Sequence, residues 1–484
     1  MNTSKTLINN IFSLKLANNL TDNLFVIFSA FLILLLFSLF FPTAVFSIIL
    51  ITIFLVLLAL FPEYLLYLLA FSIPLVNLYI PVEFLNLHYF GFIKDFKLPI
   101  VDLIAISLFF GFLLRSVFNK IFSFDNEKLK MPVLLAFLGF FIISLLSAIN
   151  AHNWFASIWY SVRWIAVFYF IYILLPVNLI KDKKILRNTI ISFVLSAIYV
   201  SLMGMASLLY QDFGNDFVRF KPIGIFRIYP IGYNQKQISE ILIVGTMFIL
   251  ALRHWFNGVL AKRTIFFTWI VFMIILVGSF SRAAWLIAGL QILFLLYEYR
   301  HTVKRYQTES IIGIMIFIAL FLAPAYYMFS IQTDAPGLGS NKHRALLSTI
   351  AWKGFTRHPI LGHGSGDFFY LVDNSIRYTA TSASLMDSHG IWQKISAEMG
   401  LLGLTAFIIF VAAIINFIWQ RYRTIDNSKD RKLLIYIIVA VLSIFLFEWF
   451  DTSFYRGKLW LPVGIMIATA YILSNKQKHE NITD

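Results

Sequence analysis

The chain has 484 residues, 60% of them hydrophobic and 18% aromatic, with 52 phenylalanines and only 13% charged side chains. This composition excludes a water-soluble globular domain, because apolar runs continue on every face for the roughly 18 to 20 residues a helix needs to cross hydrocarbon. The net charge of +15 sits mostly in short connectors between those runs, where Lys and Arg fix orientation across a bilayer, so no nucleic-acid partner is expected.

The first apolar run, LFVIFSAFLILLLFSLFF from Leu24, shows none of the alternation of a membrane β-strand. Lys5 and Lys15 precede it without a small-residue cleavage site, which reads as a retained cytoplasmic tail. The spacing predicts spans at 24–41, 44–61, 64–81, 99–118, 132–149, 163–180, 188–210, 236–252, 264–280, 284–298, 309–330, 399–419, 433–450 and 459–474. The expected fold is all-α, a polytopic transmembrane helix bundle of about 12 to 14 spans with a large periplasmic loop carrying short helices. Alternation from a cytoplasmic N-terminus puts the basic connectors 119–131, 181–187, 253–263, 299–308 and 420–432 on one side, as the positive-inside rule asks. Four segments then face the other side: 82–98, 150–162, 211–235 and the long 331–398, whose Trp, Phe and Leu content argues for order.

The organisation expected is a cytoplasmic tail 1–23, an N-terminal transmembrane bundle 24–263, a core 264–419 that includes the loop 331–398, a C-terminal hairpin 420–475 and a tail 476–484. No repeat of 20 to 50 residues interrupts this plan. The absence of cysteine removes disulfides, thiolate nucleophiles and Cys-ligated metal.

Three clusters in the second half of the chain carry possible chemistry. Gly278-Ser279-Phe280-Ser281-Arg282-Ala283-Ala284-Trp285 places an arginine between two apolar helices, a costly position that an anion would repay. Arg344 opens a helical stretch in which Arg344, Ser348 and Trp352 recur at four-residue spacing on one face. The glycines 362, 364 and 366 that follow lack the Lys-Ser/Thr of a P-loop and read as a tight turn with close backbone approach. Last, His389 and Gln393 share a helical face just before the span at 399, where an imidazole can exchange a proton near neutral pH. Glu240, Glu448 and Asp451 are expected as counter-ions to the site arginines or to Arg163.

Taken in order over about 270–405, these clusters resemble the O-antigen ligase family of polytopic glycosyltransferases. The matching features are Ser281-Arg282-Ala283-Ala284-Trp285, Arg344 ahead of Pro359 to Gly364, and His389 followed by Glu398, Gly400 and Gly403. The family often has Asn after this histidine, where the chain has Gly390, and the family's upstream loop arginine matches either Arg219 or Arg227. The resemblance implies transfer of a glycan from undecaprenyl pyrophosphate to an acceptor hydroxyl, of the lipid A core or another glycan, at the periplasmic face of the inner membrane. It implies His389 as base, Arg282 and Arg344 as stabilisers of the pyrophosphate, and Arg219, Arg227, Trp285 and Gln393 as substrate-binding residues. No Asp-x-Asp pair or His/Asp cluster with metal-ligand spacing stands in the outer loops, so no metal and no cofactor are expected, and a single inverting displacement follows. Two other readings stay open: a polysaccharide polymerase using the same donor, and a membrane transporter of an anionic solute. A transporter would hold Arg282, Arg344 and His389 near the midplane, an enzyme in one outer cavity.

Overall fold

The structure, a computed structural model, describes residues 61–75, 77–81, 97–121, 129–211, 218–224, 228–300, 326, 340–380, 387–451 and 456–480. The expected spans 24–41, 44–61 and 309–330 fall outside these residues apart from single positions, as does Arg227.

The described chain is a helical bundle. Its elements are α1 (Pro62–Ser72), β1 (Tyr79–Pro81), β2 (Lys97–Pro99), α2 (Ile100–Ile121), α3 (Leu134–Ser147), α4 (Trp154–Leu179), α5 (Lys183–Ser207), α6 (Gln235–Ala251), α7 (Val259–Gly278) and α8 (Arg282–Glu298). After these come α9 (Ser340–Arg357), α10 (Phe368–Asp373), α11 (Ile376–Thr379), α12 (Ile391–Arg423), α13 (Ser428–Glu448) and α14 (Gly457–Glu480). Among the described residues six helices are long and apolar enough to cross a membrane, which makes this a multi-pass membrane protein. Among the described residues the strands form one antiparallel ribbon, of β1 and β2, with Tyr79 opposite Pro99.

Burial sorts the helices. In α6 every residue from Ile238 to Ala251 is buried, as a helix apolar all round must be when it sits at the centre of a bundle. It packs against α5, α7, α8 and α13, and Gly245 lets α5 approach so closely that a Cβ there would lie 2.7 Å from Ala197. The apolar window of α6 is 83% buried against 28% for α7, whose outward face is left for lipid. Gln291 on α8 is the polar tie of this core: it accepts from Thr246 at 2.8 Å and donates to the Ile243 carbonyl and to Ser443, each at 2.8 Å. With every polar atom satisfied, it fixes α6, α8 and α13 in one register.

Several helices differ from their expected spans, and α1 most plainly: expected over 64–81, it ends at Ser72, and β1 takes up Tyr79–Pro81. α4 starts near Trp154, inside the expected connector 150–162, because Asn153 accepts from the Ala156 N–H and caps it. It then widens into π-helical turns over Ser161–Ala166 and Phe168–Leu174. α12 starts at Ile391 rather than near 399, and breaks at Gly400, whose φ of 66° and ψ of −160° are non-helical.

The basic connectors meet at one end of the bundle. Asp430 accepts from Lys183 at 2.7 Å and lies 3.4 Å from His254, Lys432 pairs with Glu298 at 2.7 Å, and Arg253 donates to Tyr299. Four connectors assigned to the same side by alternation are thus in contact. The starts of α6, α8, α12 and α14 and the end of α13 lie at the other end, and the chemistry is found there.

Candidate active site

Each candidate side chain is aimed by a local device. Arg282 is the first residue of α8, and the turn before it is tight: Ser279 and Phe280 donate their N–H groups to Ile275 and Val277. Phe280 has a φ of 53°, a left-handed backbone that costs a non-glycine residue about 1–2 kcal/mol. The turn is held to α6 by a 3.0 Å contact between the Ser279 and Ser239 hydroxyls. Trp285 braces it from below; its indole N–H donates to the Val277 carbonyl at 2.8 Å and its ring is buried. The indole therefore reaches Arg282 through the fold, and its donor is committed.

Arg219 approaches the same turn from another side. Gln211 brackets its backbone, donating to the Arg219 carbonyl and accepting from its N–H, and the next residue, Phe220, donates to the Gly278 carbonyl at 3.0 Å. Burial pulls the Arg219 guanidinium below the usual arginine range.

α9 carries Arg344 and Ser348 along one flank, and Gln393 on α12 donates to the Ser348 hydroxyl at 2.9 Å. The expected face shared by His389 and Gln393 is not formed, because α12 begins at Ile391, after an extended Gly390. Trp352, further along the flank, is 64% exposed. Burial and the nearby Arg282 guanidinium lower Arg344, with Asp451 acting the other way. His389 lies in the turn before α12, half-buried. Burial, joined by Lys236, Arg344 and His343, pushes its imidazole down to about 4 against the pull of Asp451. Gly390, where the family often has Asn, backs onto the loop after α13: a Cβ there would meet the Trp449 carbonyl at 3.0 Å.

Five elements thus bring Arg282, Arg344, His389, Lys236 and Asp451 to one place. Lys236 and Asp451 form an ion pair at 3.5 Å, and the groups acting on Arg344 and His389 sum to a net positive charge. Four of the buried polar atoms without hydrogen-bond partners among the described residues lie here: His389 Nδ1, Arg344 Nε, Gln393 Oε1 and His343 Nδ1. Each such atom costs about 1–3 kcal/mol if nothing meets it, and four of them beside three cations are what a polar, anionic ligand would satisfy.

Lys236 and His343 are absent from the sequence-derived set. A lysine beginning a span at the end opposite to the basic connectors is the signal that points to the first. The expected counter-ion roles also change. Glu240 pairs with the buried Lys458 of α14, and Arg163 pairs with Asp102 at 3.5 Å beside a largely apolar cavity of about 550 Å³. Glu240 thus pairs with a cation other than the site arginines, and the acid that meets Arg163 is Asp102, none of the three expected ones. Asp451 is the acid that stands among the site cations.

The glycine turn has a structural task. Where α12 breaks at Gly400, the freed Ala397 and Glu398 carbonyls accept from His363 and Gly364, and Leu401 and Leu402 donate to Pro359 and Ile360. The loop 359–364 therefore lies across the break and satisfies it. Gly362 (φ 71°) and Gly400 face each other with no room for side chains, a Cβ on Gly362 falling 2.3 Å from the Glu398 backbone. Gly362→Ala is expected to destabilise the detergent-solubilised protein, by about 1–2 kcal/mol for the left-handed backbone alone and more for the contact, read as a lower melting temperature. Gly289→Ala, inside α8 with nothing within 4 Å, serves as the control that is not destabilised.

No curated protein matches the chain. Residues 266–408, which contain Arg282, Arg344, His389 and the glycine turn, match the family described as O-antigen ligase. The likeness to that family covers this segment, about a third of the chain, and the segment lies within the multi-pass helical bundle.

Proposed function

We propose that this protein transfers a glycan from undecaprenyl pyrophosphate to an acceptor hydroxyl, a sugar of the lipid A core in the ligase reading, at the periplasmic face of the inner membrane. The observation that carries the reading is the convergence of Arg282, Arg344 and His389, with unpartnered buried polar atoms, at one end of the bundle. A transporter would need these charges on a midplane pathway.

In the proposed step the acceptor O–H loses its proton to the neutral imidazole of His389 while its oxygen bonds to the anomeric carbon. The bond from that carbon to the pyrophosphate oxygen breaks, with inversion. The electron pair leaves on the pyrophosphate, where Arg344 and Arg282 meet the added charge through charge-assisted, bidentate hydrogen bonds. Gln393 and Arg219 are assigned to the sugar and phosphate surroundings, and Trp285 to the support of the Arg282 turn.

The test is a lipopolysaccharide gel with a parallel stain of lipid-linked glycan, from cells lacking the protein and complemented with wild type or His389→Ala. Bare core with accumulated long lipid-linked polymer, rescued only by wild type, supports the ligase. Core bearing a single repeat assigns the chain to polymerisation, and an unchanged pattern rejects both. In the purified system, with arginines rather than a divalent ion holding the leaving group, EDTA is expected to leave the rate unchanged. Loss of activity restored by magnesium would move that role to a metal.

A further inference from the structure

Beneath the His389 turn lies a buried cluster of charges that the proposed step does not use. Lys394, on the first turn of α12, is 1% exposed. Its Nζ donates to both carboxylate oxygens of Asp387, at 2.7 and 2.6 Å, and stands 3.6 Å from Glu398 Oε1. The rings of Tyr160 and Phe369 flank it at 5.7 and 5.5 Å. An ammonium is expensive to bury, and an apolar side chain of similar volume serves packing at least as well, so this ion cluster is poorly explained by stability.

Its connections suggest another purpose. Asp387 is two residues before His389, and between them Ser388 donates its N–H to Asp387 Oδ1 at 2.9 Å and its hydroxyl to the Gly390 carbonyl at 3.2 Å. Glu398 receives the backbone N–H groups of Phe368 and Gly366, at the end of the glycine turn. That turn is anchored in its own right: Ser365 bonds to Ser144 and Ser147 of α3, and the His152 N–H donates to Asp367 at 2.6 Å. One ammonium therefore ties the His389 turn to a rigid part of the bundle.

We propose that Lys394 is the positioning residue of His389: through Asp387 it fixes the 387–390 turn so that the imidazole faces the acceptor. The inference rests on His389 being the base. Lys394 touches neither substrate, and its influence travels through one carboxylate and two residues of backbone.

The test uses the full-length protein in lipid nanodiscs with a lipid-linked glycan donor and a glycan acceptor, comparing wild type, Lys394→Met, Asp387→Asn and His389→Ala. Lys394→Met is expected to lower kcat about 100-fold, the size of effect that misplacing a group by about 1 Å produces. Its KM for the donor stays near wild type, because Arg282 and Arg344 stand on other helices. Asp387→Asn, which keeps one acceptor oxygen for the lysine, falls between the two.

A released imidazole also gains water, so the acidic limb of the kcat/KM profile moves to higher pH. Lys236 on α6, Arg344 and His343 on α9, and Asp451 after α13 face the imidazole in wild type and variant alike. Wild-type kcat and an unmoved acidic limb in Lys394→Met, with His389→Ala inactive, would overturn the proposal. So would a loss confined to folded fraction and melting temperature at unchanged kcat. If Lys394→Met does not fold, Asp387→Asn carries the same comparison. Full activity in His389→Ala would instead remove the assignment of the base, on which the proposal stands.

Discussion

Replacing His389 with alanine is expected to slow glycan transfer by about 10²- to 10⁴-fold, the range general base catalysis supplies, while donor binding persists. The pH dependence is the sharper check. A base works only when neutral, and the imidazole is held at about 4 by burial and by Lys236, Arg344 and His343. The kcat/KM of the wild type should therefore stay level as pH falls from 7 and decline only near pH 4, where an ordinary histidine would lose activity at about 6.5. With donor bound, the pyrophosphate charge favours the protonated ring, so the acidic limb of kcat should lie above that of kcat/KM. The same depression bears on stability. Below its ordinary value the histidine of the unfolded chain binds a proton that the folded one refuses, so its contribution is lost as pH falls from about 6.5 to about 4. A kcat/KM limb at pH 6 to 7 would remove the buried neutral base from the mechanism.

What the sequence discloses about this site is what local spacing can encode. Arg344 and Ser348 are separated by one turn of α9, and Gln393 bonds to Ser348 from α12; His389, expected on the Gln393 face, lies in the turn before that helix, because extended backbone at Gly390 delays its start to Ile391. Gly362, Gly364 and Gly366 announce a close backbone approach. That the surface approached is the break in α12 at Gly400 depends on a contact across some forty residues, which spacing does not carry. The early start of α12 depends on protein contacts too, since Ile391 and Ile395 are buried in the bundle core, Ala397 against α9 and Glu398 under the Phe368 N–H, rather than by lipid. A hydropathy window, drawn to find lipid-facing runs, opens only after them. The counter-ions show the limit most clearly. Glu240 and Asp451 are both acids at the loop end of their helices, yet one meets Lys458 and the other Lys236, and only the packing of α6 against α13 and α14 decides which. The ribbon of β1 and β2 is of this kind too: three residues a side, paired across a gap of fifteen residues that spacing does not bridge.

Removal of the Arg344 guanidinium is the second change with a large expected effect. Arg344→Ala should reduce kcat by about 10²- to 10³-fold, as loss of one preorganised donor to a developing charge does. Arg344→Lys should recover only part, because an ammonium restores the charge and not the planar fork that grips two pyrophosphate oxygens. Arg282 differs in setting. It is exposed at the start of α8, where the helix N-terminus adds its own positive potential and part of its work survives substitution. Its loss should therefore appear more in KM for the donor than in kcat. If both arginines act on one pyrophosphate, the double substitution should cost less than the product of the single effects, since the second removal acts on a leaving group already unsupported. Strict multiplication of the two effects, with Arg344→Lys as active as wild type, would mean that Arg344 supplies only a diffuse field, and the bidentate contact to the leaving group would have to be assigned elsewhere.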